Sequence, residues 1–169
     1  MERLYLLTGA AGYLGSNVAR ELVSCGANVR GLVLPGDKAI KKLPEAMELY
    51  EGDVLDRASL RGFFEAPAGT ELYVIHCAGV VSIGWNYNKR VHAVNVEGTR
   101  NVVAQCVESK VKKLVYVSSV HALRELPHGQ TITEESDFDP AKIKGFYGKT
   151  KAEASGIVMR AVREQGLDA

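Results

Sequence analysis

Thr8-Gly9-Ala10-Ala11-Gly12-Tyr13-Leu14-Gly15, read together with the residues on either side of it, decides the fold. Arg3-Leu4-Tyr5-Leu6-Leu7 before it is an apolar run that reads as a buried strand, and Leu14, Val18, Leu22 and Val23 after it fall on one face of a helix. The glycines at 9, 12 and 15 therefore occupy a strand, turn, helix context, and each meets a different physical need. Gly9 permits the tight turn, Gly12 lets backbone amides approach a phosphate at a helix N-terminus, and Gly15 allows the helix to pack close to the sheet. A dinucleotide pyrophosphate is the ligand this arrangement suits.

Beyond that stretch, β-branched runs alternate with helical patterns. Strands are expected near residues 3–7, 28–34, 47–50, 71–76 and 113–118, and helices near 13–25, 56–65, 86–109 and 145–165. The alternation predicts an α/β fold, a Rossmann-type doubly wound parallel sheet with helices on both faces. Within 86–109, Val91, Val94, Gly98, Val102 and Cys106 form an apolar stripe, with Gly98 allowing close approach to a neighbour. The segment from His121 to Lys144 carries Pro127, Gly129, Asp137, Asp139 and Pro140 with little periodicity, which is the signature of a long loop bordering a functional site.

Composition narrows the partners. The 169 residues suffice for one well-buried domain, and a formal net charge of +1 without a Lys/Arg-rich block excludes the electrostatic footprint of nucleic-acid or anionic-membrane binding. No apolar run reaches membrane-spanning length and no signal-peptide pattern opens the chain, so a cytoplasmic protein with a small-molecule substrate is expected. Cys25, Cys77 and Cys106 show no metal-ligand spacing; all three are read as reduced core thiols, and no metal site is expected.

A second constellation lies in Tyr147-Gly148-Lys149-Thr150-Lys151 at the start of the last helix. The four-residue step puts Tyr147 and Lys151 on one helical face, where a fixed ammonium favours the phenolate and tunes the phenol for proton transfer. Upstream, Val115-Tyr116-Val117-Ser118-Ser119 ends the fifth strand with two hydroxyls at the sheet edge where α/β proteins bind ligands. His76, inside an apolar strand, reads as a satisfied core histidine, and Asn95 as a structural hydrogen-bonding group to a neighbouring strand. His121 and His128 fall on the loop at the active-site side.

TGAAGYLG at 8–15, GDVLD at 52–56, HCAG at 76–79, VNVEGT at 94–99, YVSS at 116–119 and YGKTK at 147–151 together make the chain resemble the extended branch of the short-chain dehydrogenase/reductase superfamily. That branch holds nucleotide-sugar epimerases, dehydratases and dihydroflavonol- or steroid-type reductases, and the resemblance covers essentially the whole chain as an NAD(P)-binding domain. It implies that Gly9, Ala11, Gly12, Tyr13, Leu14 and Gly15 surround the cofactor phosphates. It implies too that Asp53 accepts from the adenine amino group, that Val54 lines the adenine pocket, and that Ala78 and Gly79 border the cofactor. Ser118 would support the nicotinamide. Ser119 would be the catalytic serine, Tyr147 the acid/base, and Lys151 the residue that tunes Tyr147 and holds the nicotinamide ribose.

The departures from that pattern refine the expectation. The acidic residue of NAD-preferring members and the arginine of NADP-preferring ones are replaced by Val33 and Leu34; Lys38, Lys41 and Lys42 follow, and the reading leans to NADP. Val120-His121 stands where dehydratases carry an Asp-Glu pair, and Ala122-Leu123-Arg124 where epimerases carry Val-Tyr-Gly. A ketone or secondary-alcohol oxidoreductase is expected, with a sugar-nucleotide epimerase and a non-catalytic dinucleotide sensor as alternatives. Val162 to Ala169 resembles the approach to a sixth strand, so the expectation includes a remaining C-terminal segment of the same enzyme, a homodimer, and a fifth strand that presents Leu114, Val115 and Val117 unless a further segment or another chain covers them.

Overall fold

Leu6 and Leu7 are adjacent in an extended segment and both fully buried, as a strand covered on its two faces requires. The computed structural model, which describes residues 2–134 and 137–169, shows that sheet. Its strands are β1 (Arg3–Thr8), β2 (Asn28–Val33), β3 (Glu48–Glu51), β4 (Glu71–His76) and β5 (Lys113–Tyr116), all parallel, in the order β3-β2-β1-β4-β5.

Right-handed crossovers then dictate where the helices go. From β1 the chain steps outward to β2 and β3, so α1 (Tyr13–Ser24) covers one face, packing Ala19, Val18 and Leu22 on Leu7, Val29 and Val33. From β3 it returns past β1 to β4 and β5, so α2 (Arg57–Phe64), α4 (Thr99–Glu108) and α5 (Phe146–Gln165) share the other face. There Leu60, Phe63, Val102, Cys106 and Val158 pack on Leu6, Leu32, Val74 and Leu114. The direction of winding reverses between β1 and β4, and a crevice opens at their carboxyl ends.

The expected elements are present, with shifted ends and additions. The helix read as 86–109 is a rod of three parts: α3 (Lys89–His92), a π-helical stretch Ala93–Gly98, and α4. Periodicity at 3.6 residues cannot register one inserted residue per turn, and π stretches concentrate at functional positions. Short 3-10 turns occur at Lys38–Lys42, Val120–Ala122 and Pro140–Lys142.

Two expectations are corrected. Leu114 is 1 % exposed, because alternate residues of β5 turn into the core shared with Leu167, while Val115 on the other side is half exposed. The Leu114 amide donates to the Asp168 carbonyl at 2.8 Å and Lys113 pairs with the Asp168 carboxylate at 2.7 Å, so residues after α5 run beside β5. The cysteines are all free, but only Cys106 is a core thiol. Cys25, the C-cap of α1 beyond its last buried turn, is exposed, and Cys77 just past β4 is half-buried.

Candidate active site

The glycine-rich turn holds its shape through contacts no larger residue could make. Gly9 has φ of 69°, and a Cβ there would lie 2.6 Å from the Ala78 amide nitrogen, so the loops after β1 and β4 touch backbone to backbone. A Cβ on Gly15 would lie 2.1 Å from the Gly9 carbonyl oxygen. Gly15 thus presses α1 against the turn itself. Gly12 is the N-cap of α1, donates to the Gly9 carbonyl at 3.0 Å and brings no capping side chain. The first amides of this 12-residue helix are therefore left for an anion, with the positive end of the helix dipole behind them. Tyr13 is 92 % exposed and Leu14 is exposed, both outside the neighbouring cavity.

That cavity, of about 370 Å³, lies at the carboxyl ends of β1, β2, β3 and β4. Gly9, Ala11, Gly12, Asp53, Val54, Ala78 and Gly79 all line it. One Asp53 oxygen accepts from the Leu55 amide at 2.9 Å, which fixes the carboxylate, and among the described residues the other oxygen has no partner. Val54 is buried against Gly98, where a Cβ would come within 2.7 Å of it, so the apolar stripe of the long helix sets the cavity's floor. The lysines at 38, 41 and 42 do not line this cavity, whereas Asp37 and Arg90 do. The three lysines lie on the 3-10 turn Lys38–Lys42. Asp37 and Arg90 escaped the sequence reading because only the folded course of their loops brings them to the rim.

Beyond the cavity, β5 and α5 supply the second constellation. Lys151 is 5 % exposed; its Nζ donates to the Val117 carbonyl at 2.7 Å and stands 4.5 Å from the centre of the Tyr116 ring. Burial lowers the Lys151 pKa from 10.5 to about 8, against an opposing pull from Cys77. Of the two tyrosines on this side, Tyr116 is held in its neutral form because burial raises its pKa. Tyr147, one helical turn before Lys151, is half-buried and reachable. Ser119 Oγ accepts from the His121 amide at 3.2 Å, and the His121 ring sits 6.3 Å from that of Tyr147 in a T-shaped contact. His128 is exposed.

Ser118 has a different connection. Ser155 Oγ donates to the Lys151 carbonyl at 2.8 Å, so in the 2.7 Å contact between the two serines Ser118 is the donor. The Ser118 hydroxyl proton is spent on tying the segment after β5 to α5.

Two buried networks brace the site. Asn95, in the π-helical stretch and 1 % exposed, accepts from the Val80 amide at 2.7 Å and donates to the Val80 carbonyl at 3.0 Å and to Thr150 Oγ1 at 3.1 Å. Thr150 in turn donates to the Tyr147 carbonyl at 2.7 Å. His76, fully buried, bridges Thr8 at 2.6 Å and Thr99 at 3.0 Å, as a satisfied core histidine should. Among the described residues no group of three or more His, Cys, Asp or Glu side chains could hold a metal ion, and no helix is long and apolar enough to cross a membrane.

Comparison with known proteins places this geometry. The 3-beta hydroxysteroid dehydrogenase/isomerase family model matches residues 6–166. Human 3 beta-hydroxysteroid dehydrogenase type 7 is 32 % identical over 167 residues, covering 94 % of this chain and 44 % of the human protein. The crystal structure of gox2253 is 33 % identical with a TM-score of 0.83, over 98 % of this chain and 49 % of that one. A short-chain dehydrogenase/reductase superfamily protein from Agrobacterium tumefaciens, solved with bound NAD, is 25 % identical with a TM-score of 0.69, over 97 % of this chain and 46 % of that one. The chain spans about half the length of the relatives it matches.

Proposed function

The chain belongs to the 3-beta hydroxysteroid dehydrogenase/isomerase family, and from that membership we propose that it binds a nicotinamide dinucleotide, NAD(P), and serves an oxidoreductase that interconverts a ketone and a secondary alcohol. The observation that carries this reading is the burial of Lys151. An ammonium removed from water is costly and lysine is almost never fully buried without a purpose. Here it sits one turn after a reachable tyrosine, at the carboxyl edge of the sheet and beside the loops that line the nucleotide cavity. A module that only sensed a dinucleotide would have no use for that cost.

The residues present fit the cofactor. Gly9 and Gly15 keep the turn tight, Gly12 leaves the α1 amides open, and Asp53 keeps at the cavity wall one carboxylate oxygen that no described residue engages. Bound there, the dinucleotide would supply the hydride donor or acceptor. The chain's own residues handle the proton. Tyr147 Oη gives it to a ketone oxygen in reduction and takes it from a hydroxyl in oxidation, one helical turn from the Lys151 ammonium. Ser119 Oγ, whose lone pair is already engaged by the His121 amide, is left with its hydrogen to donate to the substrate oxygen.

The substrate reading is apolar. Val81, Ile83, Trp85 and Tyr87 are all between 68 % and 98 % exposed on the loop after β4. Tyr87 packs 5.2 Å from the ring of Phe146, the neighbour of Tyr147. That wall suits an alicyclic ring better than the hydroxyls of a sugar nucleotide. The test is Tyr147→Phe on the whole protein, followed by NADH and NADPH oxidation against a panel of ring ketones and sugar nucleotides. Turnover is expected to fall by about 10²–10⁴-fold, with NADH affinity kept. Wild-type turnover in the variant would remove Tyr147 from the mechanism.

A further inference from the structure

The proton chemistry assigned to Tyr147 and Ser119 leaves the imidazole beside them unused. His121 is the middle residue of the 3-10 turn Val120–Ala122, and that turn is fixed at three points. Ser119 Oγ accepts from the His121 amide at 3.2 Å. Ala122, 1 % exposed, is packed with Ile143 and Ala152. The His121 carbonyl rests on the first turn of α5, where a Cβ on Gly148 would lie 2.6 Å from its oxygen, so a residue without a Cβ is needed there. With its backbone held in this way, His121 sends its side chain to Tyr147, and the two rings make a T-shaped contact with centres 6.3 Å apart. The residue is exposed, and among the described residues none hydrogen-bonds or pairs with its imidazole nitrogens.

We propose that His121 binds a second oxygen of the substrate, on the carbon next to the reacting one, so that the chain prefers α-hydroxy ketones, and the vicinal diols they are reduced to, over simple ketones. The proposal rests on the reading that Tyr147 and Ser119 serve the oxygen of a ketone or secondary alcohol. His121 adjoins both of them, Tyr147 through its ring and Ser119 through its amide. Oxygens on adjacent carbons lie within hydrogen-bond reach of each other, so a group packed beside the one that serves the first oxygen is placed to serve the second. Imidazole suits a hydroxyl in either direction, since the neutral ring carries one donor and one acceptor and the protonated ring two donors. Val81 and Ile83 on the loop after β4 carry no such group, so the site has a polar side at the turn and an apolar side at that loop. Reduction yields the vicinal diol, with the hydride taken from NAD(P)H and the proton from Tyr147, while the second oxygen keeps its bonds and is only held.

The experiment measures kcat and KM of the whole protein with NADH and with NADPH for ring ketones taken in pairs, cyclohexanone with α-hydroxycyclohexanone and tetralone with α-hydroxytetralone. Wild type, His121→Phe and His121→Gln are compared. Phenylalanine keeps an aromatic ring against Tyr147 and removes both nitrogens, whereas glutamine removes the ring and keeps a donor and an acceptor. The wild type is expected to show a kcat/KM at least about tenfold higher for the hydroxy ketone of each pair. His121→Phe should bring each pair to within about threefold, through a higher KM for the hydroxy ketone with the simple ketone unchanged, and His121→Gln should keep part of the preference. A wild type without preference, or losses in His121→Phe that are equal on both members of a pair, overturns the role of His121 and leaves the oxidoreductase reading intact. Equal losses would mean that the ring serves only to hold Tyr147. Turnover of no ketone by the wild type overturns the oxidoreductase reading, and the role of His121 with it.

Discussion

Asn95 engages both backbone groups of Val80, accepting from its amide at 2.7 Å and donating to its carbonyl at 3.0 Å. The same side chain reaches Thr150 on α5, so one buried amide ties the loop after β4, which borders the cavity, to the helix turn that carries Tyr147. Asn95 lies buried within the π-helical stretch of the rod.

Asn95→Ala is therefore expected to do two things at once. Leaving buried backbone groups unpaired costs about 1–3 kcal/mol, which in a domain of this size lowers Tm by about 2–4 °C per kcal/mol. Loosening the Tyr147 turn lowers kcat by more than it raises KM. Thermal denaturation and steady-state kinetics check both; an unchanged Tm would show that Asn95 is not the brace described.

His76 gives the fold an acid-sensitive element. Burial, with Lys151 nearby as a smaller cause, lowers its pKa from 6.5 to about 3. The unfolded chain takes up the proton as pH drops below 6.5, whereas the folded chain refuses it until about 3, so stability is complete above 6.5 and is lost progressively between those values. Urea denaturation at pH 7.5, 6, 5 and 4 should show a falling midpoint, and His76→Gln should flatten that fall. A midpoint equally pH-dependent in the variant would assign the effect to other groups.

Lys151→Met should separate stability from function. The lowered pKa of about 8 means that the folded protein holds the charged form at a cost below that pH. A methionine of similar length removes the cost, so Tm is expected to stay level or rise at pH 7, while cofactor affinity and turnover both fall. A clear drop in Tm with cofactor affinity unchanged would make Lys151 a structural residue.

The parts of this account that were legible in the sequence are those set by local chemistry. The Gly9, Gly12, Gly15 turn, the alternation of strands and helices, and the shared face of Tyr147 and Lys151 follow from spacing alone, and His76 could be read as a core residue from its apolar strand. What escaped depends on tertiary course. The turn at Pro35-Gly36 brings Asp37 to the cavity rim, a placement that depends on the folded course of the loop. Leu114 looked like an exposed edge residue because Leu167, 53 positions away, was not known to pack against it. The π-helical insertion and the Thr150 link have no periodic signature.

The most direct test of the central claim, that a dinucleotide's phosphates rest on the amides at the start of α1, is NADH binding by Gly12→Val. Gly12 has an extended backbone that valine also adopts, and the nearest atom to an added Cβ is the Gly9 carbonyl oxygen at 3.2 Å, so the side chain enters the space before the helix. The account predicts a Tm within a few degrees of wild type and NADH affinity weakened by at least about thirtyfold, or about 2 kcal/mol. A folded Gly12→Val chain that binds NADH as tightly as the wild type would contradict it.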